Sequence, residues 1–291
     1  MKIALHGKFL NKETSDFLSG LILAGRNYEC EIIISKDFYD LTKDSCEEVA
    51  ELDTFKDKEG LGSIRFIFSI GGDGTLLESV SMVGNLGIPV LGINTGRLGF
   101  LSTTKGLNPE LVLDAVLQKQ YIIDDRALLR LDSPGNIYND TNFALNEIAI
   151  LKSDTSSMIT VHAYIDDEYL NSYWADGLIV STPTGSTGYS MSCGGPIALP
   201  KSNNFIITPV SPHNLSVRPM IVSDSSHLKF VVESRTNQYL ISLDSRSKTL
   251  TNKVDIIVFR ESFSAKLVRL KGVRFFDTLR QKLNWGYDIR N

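Results

Sequence analysis

Ser69-Ile70-Gly71-Gly72-Asp73-Gly74-Thr75-Leu76-Leu77 is the stretch that decides how the chain reads. Ile64-Arg65-Phe66-Ile67-Phe68 precedes it, a short apolar run rich in β-branched and aromatic residues, which predicts a buried strand. Thr75-Leu76-Leu77-Glu78 follows, a Thr-x-x-Glu pattern that predicts a capping box opening an apolar helix through Val80 and Val83. Three glycines and one aspartate thus sit in a tight strand-to-helix turn. Glycine lets the backbone take positive φ and lets a ligand come close. Free N–H groups and the helix dipole at such a turn favour anions. Asp73 is out of place there, because a carboxylate repels phosphate. It can bind Mg²⁺ or accept the proton of an attacking hydroxyl, and either use points to phosphoryl transfer. The other reading is an ordinary glycine-rich turn whose Asp73 caps the helix. The turn alone leaves both open.

Composition narrows the classes. The 291 residues allow one large or two ordinary domains with ample core. Apolar residues make up 42% and charged residues 22%, the balance of a soluble globular protein. Net charge is −4, so no basic excess points to nucleic acid. Cys30, Cys46 and Cys193 have neither disulfide nor metal-ligand spacing, which predicts core thiols in a reducing cytoplasm. The apolar part of Met1–Gly7 is too short for a signal peptide. No apolar run approaches the ~20 residues of a membrane span.

Around the turn, Lys2–Leu5, Cys30–Ile34 and Pro89–Ile93 read as further strands, and Glu13–Ala24 as a helix with Phe17, Leu18, Leu21 and Ile22 on one face. A polar stretch from Asp37 to Lys58 has weak helical periodicity. A second glycine-rich turn, Asn94-Thr95-Gly96-Arg97-Leu98-Gly99-Phe100, follows the Pro89–Ile93 strand. Asn108-Pro109 starts a helix with Pro at its first position. This alternation predicts an α/β N-terminal domain with a parallel sheet, whose ligands gather at the carboxyl ends of the strands. After Tyr121 the texture changes to short strand-like runs divided by turn clusters such as Ser133-Pro134-Gly135-Asn136, predicting a β-rich, sandwich-like C-terminal domain. The expected division is residues 1–121 and 122–271, with a helix in 272–291 returning to the first domain.

Asp176-Gly177-Leu178-Ile179-Val180-Ser181-Thr182-Pro183-Thr184-Gly185-Ser186-Thr187-Gly188-Tyr189 is a strand running into a turn crowded with hydroxyls. Such hydroxyls and free N–H groups suit polar or phosphate oxygens, and Tyr189 suits stacking on a ring. A plain strand-end turn with a core Tyr is the other reading. Asn146-Glu147 breaks an apolar strand, and an amide beside a carboxylate can hold a sugar diol, or else face water on an edge strand. His213 and Arg218 lie in a Pro-bounded loop, and Asp244-Ser245-Arg246 forms a polar turn, all of open role. His6, His162 and His227 show no partner pattern. There is no G-x-x-x-x-G-K-[ST] stretch and no protein-kinase catalytic loop. The third glycine of a dinucleotide fingerprint is Leu77.

Gly71-Gly72-Asp73-Gly74-Thr75 alone resembles NAD kinases, diacylglycerol and sphingosine-type lipid kinases and, more loosely, phosphofructokinases. Asn94-x-Gly96-x-Leu98-Gly99-Phe100-Leu101, Leu145-Asn146-Glu147, Asp176 through Tyr189, Gly194-Gly195-Pro196 and the Pro209–Pro219 loop resemble the NAD kinase pattern in family order. So do the Met1–Gly7 strand and Trp285-Gly286. The resemblance implies transfer of the ATP γ-phosphoryl group to the 2′-hydroxyl of the adenosine ribose of NAD, giving NADP. It implies Asp73 as proton acceptor and Gly74 as a backbone donor. It implies NAD held by Asn146, Glu147, Asp176, Thr187, Gly188, Tyr189, Ser190, Met191 and Ser192. It also implies Mg²⁺ or another divalent metal with ATP, a homo-oligomer (dimer or tetramer), and no membrane or nucleic-acid partner. Three departures stand out. Gly188 takes the place of a frequent Ala, Arg246 that of a frequent Gln, and Trp174-Ala175 that of basic or polar residues. Rival readings are a lipid kinase with the same turn and a dinucleotide sensor without catalysis.

Overall fold

The computed structural model describes residues 1–96, 99–102, 104–133, 135, 137–154, 157–251 and 254–286. Arg97 and Leu98 of the second glycine-rich turn, Pro134 and Asn136 of the predicted loop, and residues 287–291 lie outside them. The chain divides into two units, Met1–Asp125 with Ala265–Asn291, and Arg126–Ser264.

The first unit runs β1 (Lys2–Gly7), α1 (Lys12–Asn27), β2 (Glu31–Ser35), α2 (Lys36–Thr42), β3 (Asp53–Phe55), β4 (Phe66–Ile70), α3 (Asp73–Val83), β5 (Val90–Asn94), β6 (Thr104–Lys105), α4 (Pro109–Leu117) and β7 (Tyr121–Arg126). The second carries β8 (Leu129–Ser133), β9 (Phe143–Ala144), β10 (Glu147–Lys152), β11 (Ile159–Ile165), β12 (Glu168–Ala175), β13 (Gly177–Ser181), α5 (Tyr189–Ser192), β14 (Asn204–Val210), β15 (Met220–Ser223), β16 (Leu228–Glu233), β17 (Gln238–Leu243), β18 (Arg246–Thr251) and β19 (Ile256–Arg260). The chain then returns to the first unit as β20 (Ala265–Leu270) and α6 (Phe275–Leu283).

In the first unit the sheet order is β3-β2-β1-β4-β5-β20-β7, with β6 on β5. The pairs β2–β3, β1–β2, β1–β4, β4–β5 and β5–β20 are parallel. Strands β4 and β5 are buried along their whole length, as strands covered on both faces must be. Helix α1 is capped by Asn11, whose side chain accepts from the Thr14 N–H at 2.7 Å. It sets Leu18, Leu21 and Ile22 into a core with Ile3, Leu5, Phe38 and Phe68.

Two differences from the sequence reading have simple causes. The acidic stretch holds β3 as well as α2, because an edge strand needs only Phe55 buried. The run Ala265–Leu270, read as part of the β-rich region, pairs in parallel with β5 in the first sheet. Its burial pattern fits either sheet, so its local sequence cannot choose.

The second unit is two six-stranded antiparallel sheets, β15-β14-β13-β10-β17-β18 and β12-β11-β16-β19-β8-β9. Their shared core includes Ile148, Val180, Phe205, Phe230, Tyr239 and Ile241. Strand β13 is buried on both faces, since Ala149, Ile179 and Val210 also pack on its other side with Cys193. The segment that follows β13 therefore lies folded back over its own sheet.

Candidate active site

The turn after β4 begins at Gly71, with φ at +148°, whose N–H donates to the Ile93 carbonyl at 2.8 Å. Helix α3 starts at Asp73, with Gly72 as a cap that offers no side chain. The predicted capping box is therefore absent, because Thr75 is already the third helical residue. Glu78 instead pairs with Lys8 Nζ at 2.6 Å and His6 Nε2 at 3.3 Å, and His6 Nδ1 meets Ser35 Oγ at 2.9 Å. His6, which seemed partnerless in the sequence, ties β1 to β2 and α3.

Asp73 does not cap the helix. Its Oδ2 accepts the Phe100 N–H at 2.8 Å, and its Oδ1 accepts those of Leu101 and Ser102 at 3.0 and 2.9 Å. Ser102 Oγ closes the clasp on the Gly71 carbonyl at 3.1 Å. One carboxylate thus binds the two glycine-rich turns together. Gly99 is required by space, since a Cβ there would overlap Asp73 Oδ1. Gly72 and Gly74 are different. They are exposed, and a Cβ on either would meet nothing within 4 Å. Among the described residues nothing needs glycine at these two positions, whereas a ligand lying against the turn would.

The second unit repeats the device. The backbone between β9 and β10 leaves the ladder, and the N–H groups of Leu145, Asn146 and Glu147 all turn to the Asp244 carboxylate, at 2.9, 2.8 and 3.2 Å. Asp244 holds this place from the β17–β18 turn with φ at +51°. Thr182 serves the carbonyls of the same segment, its N–H to Asn146 at 2.9 Å and its hydroxyl to Leu145 at 2.6 Å. With the backbone satisfied, the side chains are left over. Asn146 Oδ1 and Glu147 Oε2 are buried without a hydrogen-bond partner. Such atoms are costly unless a ligand or water meets them. Strand β10 is central in its sheet, so the water-facing edge position is ruled out.

Burial, and then the Asp244 charge, push the Glu147 carboxyl up to about 8, with the Tyr189 backbone N–H pulling the other way. Burial also raises Asp244, against three N–H donors and Arg246. Both Asp244 oxygens have donors and Glu147 Oε2 has none, so the proton at neutral pH rests on Glu147. Arg246 donates to the carbonyls of Thr141 and Phe143 at 2.7 and 2.5 Å, so its guanidinium is spent inside the fold.

The hydroxyl-rich segment lies against this pair. Gly185 fits where a Cβ would overlap the Asn146 carbonyl, and a Cβ on Gly188 would stand 3.0 Å from Glu147 Oε2. Gly188 has φ of −96°, so it supplies room beside Glu147 rather than an unusual backbone. Tyr189 is 37% exposed, which leaves it open to stacking. Burial and the nearby Cys193, Asp176 and Glu147 raise its phenol. Asp176 is held by Lys152 at 2.6 Å. Most hydroxyls point inward. Thr182 and Ser186 brace the turn, Thr187 meets the Thr184 carbonyl at 3.3 Å, and buried Ser190 pairs with Thr208 at 2.8 Å. Met191 is half-buried and Ser192 exposed. The structure thus gathers Asn146, Glu147, Gly188 and Tyr189, with Asp176 near Tyr189, and gives the Ser190 side chain a structural task.

Residues 28–121 match the ATP-NAD kinase N-terminal domain and residues 145–270 the ATP-NAD kinase C-terminal domain. The chain belongs to the NAD kinase family. An NAD kinase of Cytophaga hutchinsonii is 49% identical over 292 residues, covering 100% of both chains. One from Bacteroides fragilis is 40% identical, again over 100% of both. Among solved structures, yeast NADH kinase complexed with NADH superposes with a TM-score of 0.87 at 26% identity, over 99% of this chain and 89% of that one. An NAD kinase from Archaeoglobus fulgidus in complex with ATP gives 0.77 at 26%, over 98% and 99%. The NAD kinase N-terminal match contains Asp73, and the C-terminal match contains Asn146, Glu147, Asp176 and Asp244. Asp244 is the residue that sequence reasoning left without a role. Its only signal was a polar Asp-Ser-Arg turn after a strand.

Among the described residues no three His, Cys, Asp or Glu side chains gather as a metal cage. Both Asp73 oxygens already accept N–H bonds. No helix among the described residues is long and apolar enough to cross a membrane.

Proposed function

We propose that the protein is an NAD kinase, moving the γ-phosphoryl group of ATP to the 2′-hydroxyl of the adenosine ribose of NAD to give NADP. The observation that carries this reading is the pair of buried, partnerless atoms Asn146 Oδ1 and Glu147 Oε2 beside an exposed tyrosine face. An amide and a carboxylic acid accept and donate to a nucleoside's hydroxyls and base edge, while Tyr189 covers a ring. Family membership supports the same reading, and the NADH and ATP of the two solved relatives are the substrate types it carries over.

The chemistry assigned to Asp73 is proton acceptance. Oδ2 takes a single backbone N–H, which leaves that oxygen a lone-pair direction for the hydroxyl proton. The O2′–H bond breaks toward Asp73, the O2′–P bond forms, and the bond from γ-phosphorus to the ADP oxygen breaks. Gly74, at the start of α3, offers backbone N–H and open space to phosphate. Mg²⁺ enters with ATP as part of the substrate. Asp176, Thr187, Ser190, Met191 and Ser192 complete the NAD side through backbone and, for Asp176, carboxylate. A homo-oligomer in the cytoplasm is the setting proposed for this reaction.

The test is NADP formation from NAD and Mg-ATP, coupled to an NADP-specific dehydrogenase. Turnover is expected. NAD binding without turnover on ATP or polyphosphate would replace the kinase by a dinucleotide sensor. Flotation with lipid vesicles would replace it by a lipid kinase.

Glu147 gives a stability prediction. Its folded-state pKa of about 8 lies above the ordinary glutamate value of 4.5. The stability linked to its proton is complete below 4.5 and is lost as pH rises through about 8. Glu147→Gln keeps the shape without the charge. In the ligand-free protein it is expected to match the wild-type Tm at pH 5 and to exceed it by at least ~3 °C at pH 9. Equal melting curves at both pH values would show that Glu147 is not held neutral.

A further inference from the structure

We infer that Asp244 is a positioning residue for the acceptor substrate: by binding the N–H groups of Leu145, Asn146 and Glu147 in one partly buried carboxylate, it presents Asn146 Oδ1 and Glu147 Oε2 without partners to NAD. The inference rests on the proposed NAD kinase activity, and it reaches a residue 97 to 99 positions along the chain from the backbone it holds.

The arrangement spends energy that packing alone does not call for. A carboxylate drawn this far out of water carries a desolvation cost, and Asp244, partly buried, adopts a left-handed backbone at φ +51° to reach its place. What this secures is the break between β9 and β10. Left in the ladder, residues 145 and 146 would pair with a neighbouring strand and alternate faces. Peeled out and held by Asp244, they place two polar side chains side by side, with Asn146 Oδ1 and Glu147 Oε2 free of partners. Arg246 fixes the same turn from the other side, through the Thr141 and Phe143 carbonyls. The Asp244 N–H returns a bond to the Glu147 carbonyl at 3.0 Å, so the two segments cannot slide apart independently.

Asp244 also sets the charge around Glu147. The groups facing Glu147 are Asp244 from the β17–β18 turn, and Tyr189 and Cys193 from the segment after β13. Arg246 faces Asp244. Of these, Asp244 is the carboxylate whose negative charge disfavours ionisation of Glu147. Removing it therefore lets Glu147 lose its proton at lower pH.

Asp244→Asn is the test. It keeps the volume but replaces one acceptor by an N–H₂ that opposes the backbone N–H groups. The KM for NAD is expected to rise ~10-fold or more while the KM for ATP stays within ~2-fold. The upper limb of the pH profile of kcat/KM for NAD, near 8 in the wild type, is expected to move to lower pH. Equal rises in both KM values with an unmoved limb would make Asp244 a general structural residue and overturn the inference. Calorimetric NAD binding to both proteins separates this from the reaction itself. If the wild type binds NAD but forms no NADP, the kinase reading fails, while a ~10-fold binding loss in the variant keeps the positioning role. Equal NAD binding, or none to the wild type, overturns it. Should Asp244→Asn not fold, hydrogen exchange in the wild type decides. Slow exchange at the amides of Leu145, Asn146 and Glu147 supports the inference, and loop-like exchange overturns it.

Discussion

Asp73→Asn is expected to lower kcat for NADP formation by at least ~10²-fold at saturating NAD and Mg-ATP. Two losses combine in this variant. The amide cannot take the proton of the 2′-hydroxyl, and one of its atoms becomes a donor. That donor faces the N–H groups of Phe100, Leu101 and Ser102, at least one of which is orphaned at a cost of ~1–3 kcal/mol. The two losses read out differently. Loss of the base falls on kcat and is insensitive to substrate concentration. Loss of the clasp between the two glycine-rich turns falls on Tm and on the KM for ATP. Steady-state kinetics and a melting curve on the same preparation therefore separate them. A lowered Tm with kcat intact would leave Asp73 as a clasp and send the search for the base elsewhere.

That double duty was not legible in the sequence. The Gly71-Gly72-Asp73-Gly74 turn announced an anion site, but the partners of Asp73 lie 27 to 29 positions away. Asp244 was still less visible, because its partners lie 97 to 99 positions away. Both carboxylates solve one physical problem. A segment leaving a sheet strands successive N–H groups, and these need an acceptor from somewhere. One carboxylate has enough lone pairs to serve three. Local patterns reveal that a segment leaves the sheet, as at Asn146-Glu147, but not which distant side chain receives it.

What was legible rests on strong local signals. Strands β1, β2, β4 and β5 are short apolar runs ended by turn residues, and α1 and α4 carry Asn caps. The change to short antiparallel strands follows from the spacing of turns, which sets it after Tyr121, whereas β7 (Tyr121–Arg126) still joins the first sheet beside β20. What failed had weak or ambiguous signals. Strand β3 buries only Phe55. Strand β20 has a half-buried pattern that suits either sheet, and its place beside β5 is a tertiary choice. The hydroxyls of Thr182, Ser186 and Ser190 looked available for phosphate. A hydroxyl's direction is set by the turn it braces, and these three point inward.

Gly185→Ala is expected to cost more than any other single methyl added to the acceptor side. A Cβ at 185 would overlap the Asn146 carbonyl oxygen and stand 2.6 Å from its Cα. These are backbone atoms, so no rotamer can relieve the clash. They also cannot retreat, since the Asn146 carbonyl accepts from Thr182 and its N–H is held by Asp244. The 185–189 segment must move instead, breaking the Gly188 N–H bond to the Gly185 carbonyl at 2.8 Å and shifting Tyr189 off the pair Asn146 and Glu147. Overpacking of this kind costs ~1–3 kcal/mol or more, and the displaced Tyr189 adds the loss of ring contact. The expected result is a fall in kcat/KM for NAD of at least ~10²-fold with a lowered Tm. Gly74→Ala is the contrast. Its Cβ meets nothing among the described residues, so Tm should hold while the KM for ATP rises, because a bound ligand would occupy that space. Full activity and an unchanged Tm in Gly185→Ala would mean that the segment after β13 does not press on Asn146. The acceptor site would then have to be rebuilt without that contact.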